Sequence, residues 1–285
     1  GGVAAMPYAQ SGKVRLYYEE AGSGFPVLFI HEYASDHREW ESQMRHFSRS
    51  YRAIAYSARG YPPSDVPEDD AAYGYEAARD DAAAVLAHLG INEAFIVGLS
   101  QGAYATLQFG LRYPQMARAL VVAGVGSGSL PALRDEFVTN TRASAEIFLK
   151  EGSAKAADNV GVSPTRIQLK GKNPRAYEEF LSHLREHSNI GMALTGRNYQ
   201  AKRPSLEDFA DELRRLAMPV LLVCGDEDEP CIDTNLWLKR MIPGAGLWLV
   251  PRTGHAVNLE EPASFNREVG EFFATVEHDA WPPPR

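Results

Sequence analysis

The chain has 285 residues and a mass of 31.4 kDa, and its 45% hydrophobic content is enough to bury a sizeable core. The net charge of −8 and the absence of any long basic run exclude a nucleic-acid-binding function. The longest apolar runs, such as "ALVVAGV" and "PVLLVC", are far shorter than a membrane span. Two cysteines provide neither a disulfide framework nor a metal site, so we expect a soluble protein of the reducing cytoplasm.

Apolar, β-favouring runs alternate with amphipathic segments along the chain. Most of these runs are apolar throughout, which is typical of strands covered on both faces. The predicted strands span 14–20, 26–32, 51–57, 93–99, 117–124, 219–225 and 246–251, and the predicted helices span 37–49, 74–89, 102–112, 233–241 and 262–275. This order predicts an α/β fold in which helices flank a mostly parallel sheet.

The alternation stops between 130 and 217. Helical patterns such as "PRAYEEFLSHLREH" and "SLEDFADELRRLA" follow one another there without a clear strand. The sequence therefore predicts a core formed by residues 1–129 and 218–285, with a helical insertion at 130–217. The end, "AWPPPR", is expected to be a frayed tail.

One serine stands at a predicted strand-to-helix turn. In "FIVGLSQGAYATL", Gly98 and Gly102 lie two positions on either side of Ser100. Glycines at these positions remove the side chains that would clash in a sharp turn. The helix that follows presents free N–H groups suited to a developing anion. The pattern favours a nucleophile elbow, although an ordinary glycine turn with an incidental serine has similar odds.

A serine nucleophile needs a base, and two later segments offer a base and an acid. His255 follows the last predicted strand in "VPRTGHAVNLEEP". Asp226 and Asp228 follow the strand before it, in "LLVCGDEDEP". The chain order Ser, Asp, His, with each residue after a strand, is that of one known type of catalytic triad.

These segments together resemble the α/β-hydrolase superfamily. "HEYASDHREW" stands where the family has its His-Gly loop, "GLSQG" matches the elbow, "CGDEDEP" matches the acid turn and "TGHAVNLEEP" matches the histidine segment. The resemblance implies an α/β-hydrolase fold with an eight-stranded sheet and a helical cap, or lid, at 130–217. It covers nearly the whole chain outside that insertion.

The resemblance also implies roles for individual residues. Ser100, Asp228 and His255 would be nucleophile, acid and base, and the backbone N–H groups of Tyr33 and Gln101 would form the oxyanion hole. Neither a metal nor an organic cofactor is required. The expected activity is that of a carboxylic-ester hydrolase, in a monomer or homodimer whose only partner is a small ester-like substrate.

Other activities remain open on the same fold. A lactonase or a carbon–carbon bond hydrolase would share the triad, whereas epoxide hydrolases and haloalkane dehalogenases use an aspartate nucleophile, against which Ser100 argues. In a different class are hydroxynitrile lyases, cofactor-free dioxygenases and non-catalytic ligand receptors. Cyanohydrin cleavage would identify the lyase, oxygen uptake the dioxygenase, and tight binding without turnover the receptor.

Glu32 departs from the family pattern, which has glycine after the histidine. Its carboxylate would oppose charge on the oxyanion, so we expect it to turn away from the pocket or to pair with a base such as Arg59. His31 is expected to organise its loop by hydrogen bonds. Glu32 and Arg166 are candidate substrate-binding residues.

The predicted cap is the basic part of an acidic protein. Between 130 and 217 there are 14 Lys and Arg against 12 Asp and Glu, whereas the remainder has 15 against 25. A solvated helical face is the ordinary explanation. The alternative is that a cation such as Arg166 draws in an anionic substrate. In "HLREH", His183 and His187 fit a metallopeptidase pattern, but a solvated helix face is the favoured interpretation.

Overall fold

The computed structural model describes residues 7–282. Eight strands form one sheet in the order β1-β2-β4-β3-β5-β6-β7-β8. The strands are β1 Tyr8–Ser11, β2 Val14–Ala21, β3 Pro26–Ile30, β4 Arg52–Tyr56, β5 Ala94–Leu99, β6 Ala117–Ala123, β7 Val220–Gly225 and β8 Ala245–Val250. Strand β2 pairs antiparallel with β1 and β4, and all other neighbours are parallel. The predicted mostly parallel sheet is confirmed.

Twelve α-helices surround or extend this sheet within the described residues. They are α1 Glu41–Phe47, α2 Tyr75–His88, α3 Gln101–Arg112, α4 Pro131–Glu151, α5 Ser153–Gly161, α6 Ile167–Lys172, α7 Pro174–Arg185, α8 Asn189–Thr195, α9 Ala210–Arg214, α10 Glu229–Met241, α11 Val257–Glu260 and α12 Pro262–Glu277. A 3-10 turn, His37–Trp40, leads into α1, and a π-helical turn, Gly196–Gln200, follows α8.

Both faces of the sheet are buried along its central strands, β3 to β7, because these strands are almost entirely apolar. Leu28 of β3 belongs to an apolar cluster shared with α2 and α3, whereas its neighbour Phe29 belongs to a second cluster shared with α1 and α12. Phe95 of β5 stacks on Phe273 of α12 with ring centroids 4.1 Å apart. Successive side chains on a strand point to opposite faces, so each strand joins the two layers.

Helices α4–α9, which we call the inserted helices, lie between β6 and β7 in the chain. They have an apolar cluster of their own, in which Phe148, Leu169 and Leu184 pack with Tyr61 from the loop after β4. The glycines of "GVGSGS" carry the chain from β6 towards α4, and three of them have positive φ. The helical insertion expected from the sequence is therefore present as secondary structure.

No helix within residues 7–282 has the length and apolar character needed to cross a bilayer.

The expectation of a frayed tail is wrong for Trp281. Its ring packs on Phe272 with centroids 4.8 Å apart, and its indole N–H donates to the carbonyl of Gly244 at 2.9 Å. Residues 283–285 of that segment lie outside the described part of the chain.

Candidate active site

Ser100 occupies the turn between β5 and α3. Its backbone has φ 57° and ψ −114°, a left-handed conformation that costs energy for any residue with a Cβ. The Ser100 N–H donates to the carbonyl of Ala123 on β6 at 2.8 Å, and its own carbonyl accepts from Tyr104 in the first turn of α3 at 2.9 Å. The strained turn is therefore held from both sides.

The two glycines of the motif allow this turn to pack. A Cβ on Gly98 would collide with the carbonyl oxygen of Gly102, and one on Gly102 would collide with the carbonyl of Ile30 at the end of β3. Both obstacles are backbone atoms, which cannot swing aside as side chains do. The spacing of the glycines thus follows from how closely α3 approaches β5 and β3.

His255 and Asp228, the predicted base and acid, form a hydrogen bond in the structure. Asp228 lies between β7 and α10, and His255 lies after β8. His255 Nδ1 is 2.7 Å from Asp228 Oδ2, and both side chains are buried. Asp226 is exposed and accepts instead from the backbone N–H of Thr253 at 3.4 Å, so it shapes the loop before His255.

The imidazole lies beside Gly124 at the end of β6, which is the neighbour of β5, the strand that leads to Ser100. A Cβ on Gly124 would approach His255 Cε1 to 3.3 Å, and Gly124 directly follows Ala123, the residue that accepts from the Ser100 N–H. The backbone N–H of His255 donates to the carbonyl of Thr165 at 2.7 Å, and this bond connects the loop of His255 to the inserted segment. The three predicted triad residues therefore lie at one edge of the sheet.

The candidate oxyanion donors flank the same edge. Gln101 begins α3, and Tyr33 follows β3. Among the backbone hydrogen bonds of residues 7–282, neither the Gln101 nor the Tyr33 N–H donates to a protein acceptor. Their other groups are occupied: Tyr199 donates to the Gln101 carbonyl, and Tyr61 donates to the Tyr33 carbonyl at 2.7 Å. These bonds anchor the peptide group that follows each donor and leave the two N–H groups available.

The expected partner of Glu32 is wrong. Arg59 instead pairs with Asp81 of α2 at 2.8 Å, and Arg166, just before α6, forms a short ion pair with Glu32. Glu32 is fully buried, and the Arg166 side chain is 14% exposed. Arg166 is therefore not a free cation at a pocket mouth, because a carboxylate from the core already meets its charge.

A second buried carboxyl group, which the sequence analysis missed, adjoins this pair. Glu39 Oε1 accepts from the Glu32 N–H at 3.1 Å. Burial and the nearby charge of Glu32 raise the pKa of Glu39 well above its usual range. Burial alone would raise the pKa of Glu32 too, but Arg166 more than offsets this and lowers it. Of the two carboxyl groups, Glu39 therefore holds a proton more readily than Glu32.

His31 organises its loop, as expected. Its Nδ1 donates to the Glu32 carbonyl at 2.7 Å, and its Nε2 accepts from the Ala58 N–H at 2.9 Å. Burial lowers the pKa of His31 to about 4, so the ring is neutral and its two nitrogens have fixed roles.

Cys231 lies next to Asp228, the candidate acid. Its sulfur, the Asp228 carboxylate and a His255 ring nitrogen lie within 4.8 Å of one another. Burial raises the pKa of the thiol, which donates to the Gly124 carbonyl at 3.6 Å. A cation could enter this trio only if the His255–Asp228 hydrogen bond were broken, so we assign no metal to it.

The interpretation of "HLREH" as one solvated helix face is wrong. Helix α7 ends at Arg185, so His187 lies beyond it. His187 is buried, and its Nε2 is 3.1 Å from the Asp36 carboxylate in the loop after β3. It links the inserted helices to the core, whereas His183 remains on α7 beside a surface groove.

Comparison with known proteins identifies the family to which this architecture belongs. The family model described as alpha/beta hydrolase fold matches residues 26–262. The chain belongs to the α/β-hydrolase fold family. The match spans β3 to the start of α12, including every residue of the candidate site.

Relatives of this α/β-hydrolase carry several activities. The chain is 32% identical over 287 residues to epoxide hydrolase 1 of Caenorhabditis elegans, covering 93% of this chain and 69% of that protein. It is 28% identical over 260 residues to 2-(acetamidomethylene)succinate hydrolase of Mesorhizobium japonicum, covering 88% of each. A thermophilic esterase from Thermogutta terrifontis, solved with malate bound, superposes with a TM-score of 0.83 at 25% identity, covering 94% of this chain and 97% of that one. The chain is a hydrolase of the α/β family.

Proposed function

We propose that this α/β-hydrolase is a serine hydrolase that cleaves a small ester or ester-like acyl compound through an acyl-enzyme. One observation carries the proposal: the 2.7 Å hydrogen bond between His255 and Asp228 lies at the same sheet edge as the strained turn of Ser100. Nucleophile, base and acid are the three groups that acyl transfer requires in this order.

The proposed reaction starts with His255 Nε2 removing the proton of Ser100 Oγ as that oxygen attacks the substrate carbonyl carbon. Asp228 accepts the Nδ1–H and so keeps Nε2 free to act as a base. The imidazolium then gives its proton to the leaving alcohol, and the Ser100 ester remains. Water, deprotonated by His255, attacks that ester, and the imidazolium returns the proton to Ser100 Oγ as the carboxylic acid leaves.

The proposed oxyanion hole is formed by the Gln101 and Tyr33 N–H groups. Gln101 opens α3, so the positive end of a twelve-residue helix adds to its N–H. Tyr33 supplies the second donor from the loop after β3. Two preorganised donors of this kind stabilise the tetrahedral intermediate without having to reorient during the reaction.

The nucleophile separates this proposal from the epoxide hydrolase relative. Epoxide hydrolases of this fold use an aspartate at the elbow, and this chain has Ser100 there. A lactonase or a carbon–carbon bond hydrolase would use the same three residues and is the closest alternative. The Mesorhizobium relative is named for a derivative of succinate, which is a dicarboxylate. This similarity favours a substrate that carries a carboxylate.

A substrate panel tests the proposal. Esters, lactones and β-diketones are offered to the wild type and to Ser100→Ala side by side, with cyanohydrin cleavage and oxygen uptake measured in parallel. We expect ester turnover that the substitution abolishes. Turnover that survives in Ser100→Ala would overturn the proposal. Turnover of β-diketones alone would identify a carbon–carbon bond hydrolase instead of an esterase.

A further inference from the structure

Glu32 places a buried negative charge beside the site of the proposed oxyanion. It directly precedes Tyr33, whose N–H is a proposed donor, and its side chain is fully buried. The backbone N–H of His255 donates to the carbonyl of Thr165 at 2.7 Å, and the next residue, Arg166, pairs with Glu32, so the ion pair adjoins the loop that carries the imidazole. Unopposed, such a carboxylate would repel an oxyanion.

Arg166 cancels this charge from the other side of the site. It belongs to the inserted helices, 134 residues away in the chain, and its guanidinium also lies over the ring of Phe180, with its carbon 5.4 Å from the centroid. Its pKa is raised by Glu32, Glu39 and Asp228, despite the opposing effect of burial. Among the acids of this region, Arg166 contacts Glu32 directly.

Glu39 completes the charge balance. Glu32 Oε2 and Glu39 Oε2 are buried, and neither has another hydrogen-bond partner in the described part of the chain. Because Glu39 holds a proton more readily than Glu32, we infer that this proton is shared between the two carboxyl groups, which would satisfy both atoms. One proton and one guanidinium thus leave the two carboxyl groups and Arg166 with no net charge.

We propose that Arg166 and Glu32 form an electrostatic positioning pair, in which the inserted helices supply the cation that neutralises Glu32 beside the imidazole and the oxyanion hole. The acyl site is then charge-balanced only while the inserted helices are seated on the core. This inference rests on the proposed function for its kinetic consequences, but its electrostatic consequences do not depend on turnover.

The pair predicts shifts of opposite sign in the titration of His255. The charged or titratable groups that lie near this ring or contact its loop include Asp228, Cys231, Glu32, Arg166, Glu260, Lys172 and Asp226. Arg166→Met leaves Glu32 unopposed and favours the imidazolium, so the midpoint rises by about one pH unit. Glu32→Gln, combined with Glu39→Gln so that Glu39 cannot ionise in its place, leaves Arg166 unopposed, and the midpoint falls by a similar amount. The triple variant, which combines all three substitutions, returns it to near the wild-type value.

The test is an NMR titration of the His255 ring in these four proteins, together with their pH–rate profiles. We expect kcat of Arg166→Met to fall on the order of tenfold with little change in KM, and the triple variant to recover most of that loss. The control is Arg59→Met, which breaks another buried ion pair, that with Asp81, and should lower stability while leaving the midpoint unchanged.

Several outcomes would overturn the inference. His255 midpoints that stay fixed, or that move in the same direction in Arg166→Met and in Glu32→Gln/Glu39→Gln, would show that the pair is only structural. The same conclusion would follow if the loss of kcat in the triple variant equalled the product of the losses in these two variants. If Arg166→Met does not fold, the fall expected in Glu32→Gln/Glu39→Gln still decides the matter. If the wild type shows no Ser100-dependent turnover, only the proposed function is contradicted, because the titrations need no substrate.

Discussion

His255 and Asp228 are joined by a 2.7 Å hydrogen bond between loops that follow two neighbouring parallel strands, β8 and β7. The carboxyl ends of parallel strands meet at one edge of a sheet, so residues 27 positions apart in sequence become partners. Asp226, only two positions away, points to solvent and bonds the backbone of Thr253. The two carboxylates therefore have separable roles.

The first prediction distinguishes these two carboxylates. Asp228→Asn should lower kcat by about 10⁴-fold, because an amide holds the imidazole in the wrong tautomer. Asp226→Asn is the matched control and should retain most of the activity. The reverse ranking in steady-state kinetics would assign the acid to Asp226.

The second prediction concerns the packing of the serine turn. Gly102→Ala should lower the free energy of unfolding by about 1–3 kcal/mol, because its Cβ meets the Ile30 carbonyl. Gly171→Ala is the control: no atom lies within 4 Å of its added Cβ, and removing a helical glycine should stabilise by about 0.5–1 kcal/mol. Denaturant melts measure both. Equal stability of the two variants would show that the close approach at Gly102 does not matter.

The third prediction is a pH dependence of stability from His31. Its folded pKa of about 4 lies below the ordinary value of 6.5, so the unfolded chain binds more protons between these two values. Stability from this group is complete above about pH 6.5 and is lost as pH falls towards 4. The loss should reach about 3 kcal/mol. In His31→Gln this part of the slope in unfolding free energy should disappear, and an unchanged slope would contradict the assignment.

The fourth prediction concerns substrate charge. Lys170, Arg175 and Lys202 of the inserted segment are exposed, and none forms an ion pair with another residue of 7–282. If these charges attract substrate, kcat/KM for an anionic ester should exceed that for its neutral analogue on the order of tenfold at low salt. The preference should shrink as salt rises, since screening limits the reach of exposed charges to ~8 Å at physiological ionic strength. Equal kcat/KM values for the anionic ester and its neutral analogue at low salt would show that these exposed charges do not attract substrate.

Local sequence patterns were sufficient for most of the architecture. Seven of the eight strands and five of the six helices outside the insertion were predicted, because apolar runs and turn residues indicate burial directly. The one-turn helix α11, Val257–Glu260, was missed. Strand β1, "YAQS", was missed because four mixed residues at a sheet edge carry no apolar signal. Helix α10 begins at Glu229, before the predicted start at 233, in a segment whose acidic residues and Pro230 suit a first helical turn.

Long-range partners could not be predicted in the same way. Glu32 was expected to pair with a base such as Arg59, but its partner is Arg166, which reaches it only because α6 lies over the loop after β3. His187 was misinterpreted for the same reason, since its partner Asp36 lies 151 residues away. Such pairs depend on how the inserted helices sit on the core, and no local pattern encodes that arrangement.

The most direct test of a Ser100 nucleophile is covalent labelling. A serine-directed fluorophosphonate should add one group per chain, peptide mapping by mass spectrometry should place it on Ser100, and ester turnover should fall in proportion to labelling. Ser100→Ala should take up no label. An adduct on another residue, or full turnover in the labelled protein, would contradict the account.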